Sequence, residues 1–342
     1  MSPAGFSGAA YWLPLLCAGV IALAVALYVI LDGFDLGIGI LFPFFPEESA
    51  RDQMMASVAP FWDGNETWLV MGGAGLFVAF PTAYAIIMPA HYLPVILMLL
   101  GLVFRGVSFE FRGVAKPYHR RWDIAFAAGS VTAALSQGLI LGGILNGIPV
   151  RDGEFAGGPW HWLTAFGLMC AVALVIGYAL LGACWLVMKT RGDLEERARR
   201  LALPLLGALL ACIVVVSVWT PLALPRVAQR WFSWPNLLYL SPVPLATGAL
   251  ALSCWQGLRS RRVSRAFYSA VGLFVLAYVG LLLSSVPYLV PPGITLWQAA
   301  AAPRSQAFMF VGLAIMIPVI LGYTVFVYRT FRGKVDPGQA YH

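Results

Sequence analysis

Charge is the scarcest commodity in this 342-residue chain. Lys, Arg, Asp and Glu make up 11% of it, against about 25% in an ordinary soluble domain. A water-soluble globule of this size cannot cover its surface with so few ionic groups. That excludes a cytosolic enzyme, a secreted disulfide scaffold and a disordered tail. Histidine occurs only as His91, His119, His161 and His342. No HExxH, no Walker loop and no GxGxxG between a strand and a helix is present, so the chemistries those motifs anchor have no foothold. The five cysteines, Cys17, Cys170, Cys184, Cys212 and Cys254, form no CxxC and lie in apolar stretches. They read as buried thiols acting as small apolar residues. Cys170 and Cys184 share one predicted helix, too far apart along its axis to bridge.

What is there is apolar. Hydrophobic residues make up 60% of the chain, and the mean hydropathy is +0.81. The class is an all-α polytopic membrane protein, since a hydrocarbon core of ~30 Å needs about 20 apolar residues per helix. Nine spans are expected, at 10–42, 57–80, 83–111, 122–147, 160–188, 199–221, 237–258, 265–290 and 306–330. They form one membrane domain of two parts. The first, 10–147, is a four-helix bundle; the second, 160–330, is another such bundle plus a peripheral last helix. The connections 148–159, 222–236 and 291–305 are rich in Pro and Gly and too short to be domains. The first basic residue is Arg51, so the N-terminus lacks the positive region of a cleavable signal, and the first apolar run is expected to stay as a span.

The net charge of +7 needs no nucleic acid, because basic residues mark cytoplasmic loops. Numbering loops alternately puts 17 of the 22 Lys and Arg on one side. They fall at Arg51, at Arg112 to Arg121 with Lys116, at Lys189 to Arg200, at Arg259 to Arg265, and at Arg329 to Lys334. Arg151, Arg226, Arg230 and Arg304 lie on the other side, and Arg105 is inside the third span. The asymmetry puts the N-terminus in the periplasm and the C-terminus in the cytoplasm.

The acids carry the functional signal. Of 15, nine fall in loops or the tail: Glu47, Glu48, Asp52, Asp152, Glu154, Asp193, Glu195, Glu196 and Asp336. The other six, Asp32, Asp35, Asp63, Glu66, Glu110 and Asp123, belong to the first four spans. Each ionisable residue within a span costs about 2.5–3.5 kcal/mol on insertion scales. The topology places all six in the inner half of the membrane or at its inner face. Asp32/Asp35 and Asp63/Glu66 are i,i+3 pairs, each on one helical face. Arg105, five residues before Glu110, is the expected counter-ion of that acid. An inner-face ion network docking four helices is the bland explanation, and it fits Glu110 and Asp123, which sit among Arg112, Arg120 and Arg121. Asp63 and Glu66 lie in WDGNETWL between Trp62 and Trp68, and there a proton or cation path fits better. Ser108, Asn65 and Thr67 are candidate relay groups. A standalone proton- or cation-coupled transporter is the competing class, but it would place its site near the midplane between repeated halves. A bis-His haem needs two facing imidazoles. His91 and His161 share the outer side, yet each reads better as a lone polar residue at the water boundary.

The segments LDGFDLGIGILFPF (31–44), FWDGNETWLVMGGAGLFVAFPTAYA (61–85) and LVFRGVSFEFR (102–112) closely resemble subunit II of the cytochrome bd-type quinol oxidases. The match is specific over about 28–115 and looser beyond, where helix count, orientation and the GKV tail (333–335) agree. The short length and sparse soluble loops resemble the cyanide-insensitive branch. The resemblance implies a terminal oxidase of the bacterial inner membrane that oxidises quinol and reduces O2 to water. Two similar nine-helix subunits would pair side by side, with haem b and haem d, or b-type haems only, ligated by subunit I. Some relatives carry a structural quinone in subunit II, and an additional small single-helix subunit is a further expected type of partner, alongside membrane lipid. Subunit II would supply a proton route from the cytoplasm. The acid of the WDGN motif matches Asp63, those of DGFD match Asp32 and Asp35, and the carboxylate ending the third span matches Glu110. With Glu66 and Ser108 these form the expected pathway, supported by Trp62, Asn65, Arg105 and Asp123. No metal site, haem ligand or direct redox residue is expected in this chain.

Overall fold

A computed structural model describes residues 8–114 and 118–335; Lys116, Asp336 and His342 lie outside them. The chain is helical throughout its apolar runs. In order come α1 (Ala9–Leu41), α2 (Glu48–Ala56), α3 (Trp62–Ala79), α4 (Pro81–Ala90), α5 (Tyr92–Val114) and α6 (His119–Asn146). After a small hairpin follow α7 (Ala165–Lys189), α8 (Asp193–Ala223), α9 (Pro225–Phe232), α10 (Asn236–Leu240), α11 (Pro242–Arg259) and α12 (Val263–Ser285). A second hairpin, α13 (Leu296–Ala299) and α14 (Pro303–Thr330) complete the chain. Val150–Arg151 pairs with Glu154–Phe155 inside the connection 148–159, whereas Tyr288–Val290, which pairs with Ile294–Thr295, occupies the expected end of the 265–290 span, whose helix stops at Ser285.

Among the described residues, eight helices are long and apolar enough to cross a membrane. The expected second span corresponds to α3, which has 18 residues and falls short of that apolarity because WDGNET fills its first turns. The expected third span is divided at His91. Pro94 has no N–H to offer the Ala90 carbonyl, so the helix breaks there and restarts with Val95 donating to His91. The sixth span starts earlier than expected. Asp193, Glu195 and Glu196 form the first turn of α8 rather than a loop, where the N-terminal end of the helix dipole favours acids. Glu48 and Asp52 likewise belong to α2.

α1 is the hub: it packs on α3, α6 and α7, and α5 packs on α6, α7 on α8, and α11 on α12. The α1–α7 contact is a backbone contact. A Cβ on Gly37 would lie 1.8 Å from the Tyr178 carbonyl oxygen, and one on Gly182 would lie 2.5 Å from the Gly37 carbonyl carbon. Gly37→Val is therefore expected to push α1 off α7 and cost at least about 2 kcal/mol, measured as a lower thermal midpoint and yield of the purified protein. A wild-type midpoint would show that the two helices have slack. All five cysteines are buried and free.

Candidate functional site

Asp32 and Asp35 sit on α1 where side chains of α3 and α5 reach it, and both are fully buried. Arg105 of α5 is equally buried and donates to Asp32 Oδ1 at 2.5 Å. Its other terminal nitrogen donates to Glu66 of α3. The expected Arg105–Glu110 pairing is not what the fold makes. Five residues turn a helix by about 140° beyond one revolution, so the two side chains leave α5 in different directions. Asp35 has a neutral partner instead: Asn65 Nδ2 donates to its Oδ2 at 2.8 Å and to the Leu31 carbonyl at 3.2 Å. Asp32 Oδ2 and Asp35 Oδ1 are buried with no protein hydrogen bond. One guanidinium thus pairs with two carboxyls while the third is left to an amide, and buried charge without a partner is costly.

Asp63 and Glu110 are both exposed, and the structure brings them to one place. With Pro60, Trp62, Asn65, Tyr323 and Tyr328 they line an open cleft of about 450 Å³ between the start of α3, the end of α5 and α14. The cleft floor leads inward, because Asn65 touches both the cleft and Asp35. Trp62 stacks on Phe109 at 5.0 Å, and the Arg105 guanidinium lies 5.9 Å from the Trp62 ring. The indole thus separates the cleft from the buried arginine.

Other expected members fall elsewhere. Ser108 is buried but donates to Phe104 O at 2.6 Å on its own helix. Thr67 is exposed and bonds the Asp63 carbonyl at 3.4 Å. Asp123 joins a separate ion cluster, accepting from Arg112 at 2.5 Å and Arg51 at 2.8 Å, while Arg112 also holds Asp52. Both arginines lie over Phe42, so this cluster clamps the end of α1 to α2, α5 and α6.

Two groups escaped the sequence reading. Tyr328 of α14 donates to Asn65 Oδ1 at 3.2 Å. Tyr178 donates to Gln137 Oε1, and Gln137 Nε2 donates to Tyr28, each at 2.7 Å; Tyr28 stands one turn before Asp32 on α1. The Tyr28–Asp32 spacing was the one local signal.

Neither His91 nor His161 is placed to take a haem. His91 is buried with Nδ1 against the Ile87 carbonyl at 3.0 Å. Its Nε2 abuts Gly143 so closely that a Cβ there would lie 2.3 Å away, which leaves no room for a porphyrin. His161 Nε2 is engaged with the Gly147 carbonyl at 3.0 Å. Among the described residues no cluster of three or more His, Cys, Asp or Glu is arranged to hold a metal ion.

Comparison with known proteins agrees over nearly the whole chain. The cytochrome bd-I ubiquinol oxidase subunit 2 of Escherichia coli K12 is 27% identical, over 90% of this chain and 91% of its own. The cytochrome bd ubiquinol oxidase subunit 2 of Bacillus subtilis is 26% identical, over 90% and 93%. A chain of the bd oxidase from Geobacillus thermodenitrificans superposes with a TM-score of 0.71 at 17% identity, covering 94% of this chain and 98% of that one; it establishes the fold. Residues 13–331 match the family described as cytochrome bd terminal oxidase subunit II, and the chain belongs to that family.

Proposed function

We propose that this multi-pass protein of the bacterial inner membrane is the subunit of a quinol:O2 oxidoreductase that carries protons inward from the cytoplasm. The haems and the quinol site belong to a subunit I, and this chain holds no redox group. In this reading α3 is the ninth span, the helices form two four-helix bundles with α14 at the side, the N-terminus is periplasmic and the C-terminus cytoplasmic. Reduction of O2 to two waters consumes four protons. Taking them from the inside while quinol releases protons outside builds a proton-motive force.

The observation that carries the proposal is the connection from an exposed carboxylate to a buried one. Asp63 and Glu110 face the cleft, Asn65 forms its inner wall, and Asn65 is bonded to Asp35. Asn65 orients rather than relays, since an amide does not exchange its protons readily; the hop from cleft to Asp35 passes beside it. Arg105 anchors Asp32 and Glu66 and keeps negative charge tolerable at the inner end of the path.

The same exposure supports the partner. Asp63, Thr67 and Glu110 are exposed on the α3–α5 side, and Gly73 on the same helix meets nothing within 4 Å. Carboxylates are costly against lipid, so beyond the mouth of the cleft, which stays open to the cytoplasm, subunit I rather than lipid covers this face.

Purifying the tagged chain from cells is expected to recover a haem-bearing polypeptide of similar size. The chain expressed without that partner is expected to give no haem bands in its reduced-minus-oxidised spectrum. A stoichiometric haem signal from the isolated chain, lost on His91→Ala, would contradict the assignment.

A further inference from the structure

The inner end of α14 forms one wall of the cleft, yet α14 itself is thinly held. Of its residues only Gln306 is buried, and its main neighbours are α1 and α3. Fixing that end falls to the five residues beyond it. Lys189, the last residue of α7, donates from Nζ to the carbonyls of Phe331 at 2.5 Å and Gly333 at 3.3 Å. The Val335 N–H donates back to the Lys189 carbonyl at 2.8 Å. Lys334 Nζ donates to the Thr190 carbonyl at 2.8 Å and to Glu195 at 3.0 Å. Gln53 of α2 donates to the Val335 carbonyl at 2.8 Å.

Two lysines are thus exchanged, each satisfying carbonyls of the other segment. Lys334 places its positive charge between the carboxyl end of α7 and the acidic first turn of α8, which both favour a cation. The strap is tied to three elements, α2, α7 and α8. Its pull is transmitted through aromatic contacts: Phe331 meets Phe61 edge-on at 6.1 Å, and Tyr328 stacks on Phe61 at 4.4 Å. Phe61 lines the cleft beside Asn65, and Tyr328 bonds Asn65. The Tyr328–Asn65 bond is already 3.2 Å long, so a further shift of about half an ångström would break it.

We infer that Lys334, Lys189 and Gln53 are positioning residues for proton uptake. They act through the strap 331–335 to hold Tyr328 on Asn65 and keep the α14 wall of the cleft in place. The inference rests on the proton-uptake reading of the cleft.

The test uses the whole oxidase, purified with its partner. Lys334→Ala is expected to lower quinol oxidase turnover about fivefold at normal haem content, and Gln53→Leu to act in the same direction. Lys334→Arg keeps the charge and the donors and should restore most of the activity. In a Tyr328→Phe background, Lys334→Ala should add little, because both changes remove one contact; independent effects would multiply. Wild-type turnover in Lys334→Ala, multiplying effects in the double variant, or loss of haem in the single variants would each overturn the inference. Asp63→Asn serves as the reference. If it slows turnover while Lys334→Ala does not, the strap alone is wrong; if Asp63→Asn turns over like wild type, the proton-uptake reading itself fails.

Discussion

Arg105→Met is expected to abolish recovery of the assembled protein. The guanidinium is fully buried and is the direct partner of Asp32 and Glu66. Methionine fills similar space but leaves Asp32 and Glu66 without their cation, close to a third buried carboxyl, Asp35. Breaking a buried ion pair by removing one partner costs about 3–5 kcal/mol, a large share of the ~5–15 kcal/mol that keeps a domain folded. Arg105→Lys should do better without reaching wild type, since an ammonium lacks the fork that spans two carboxylates. Adding Asp32→Asn to Arg105→Met should recover part of the loss by removing a charge. Yield, haem content and thermal midpoint of the purified complex measure all three. Wild-type yield and midpoint in Arg105→Met would show that the acids need no counter-ion.

Asp63→Asn should do the opposite, sparing assembly and removing activity. Asp63 is exposed at the cleft rather than locked into the Arg105 cluster, so its loss strands no buried charge. Asparagine keeps size and polarity and cannot titrate. Turnover is expected to fall at least about tenfold, which is about 1.4 kcal/mol on the barrier, at normal haem content. Asp63→Glu should retain more activity than Asp63→Asn. Glu66→Gln and Asp32→Asn should also slow turnover, with some loss of stability because both hold Arg105. Loss of haem and partner in Asp63→Asn would make Asp63 a structural residue.

The residues of the cluster were legible because ionisable groups in apolar runs are rare enough to stand out. Asp32, Asp35, Glu66, Asn65 and Arg105 are drawn together as the spans imply. Who pairs with whom was not legible. Proximity along α5 pointed from Arg105 to Glu110, but helix geometry turns them apart and tertiary packing supplies Asp32, 73 positions away. Tyr328 reaches Asn65 across 263 positions, with no local pattern to announce it. The GKV tail was visible as a motif, while its role as a strap depends on Lys189 and Gln53, which nothing in the sequence links to it. The division at His91 follows from Pro94, a breaker hidden inside a run of 29 otherwise span-like positions, 83–111.

The most direct test of the central claim is proton uptake from the cytoplasmic side. The oxidase is reconstituted into vesicles with that side outward, and the external pH is followed through an O2 pulse with the electron supply held constant. The account predicts alkalinisation outside in step with O2 consumption for the wild type, and a matching slowing of both in Asp63→Asn at unchanged haem content. Undiminished uptake from that side in Asp63→Asn, at wild-type turnover, would contradict it.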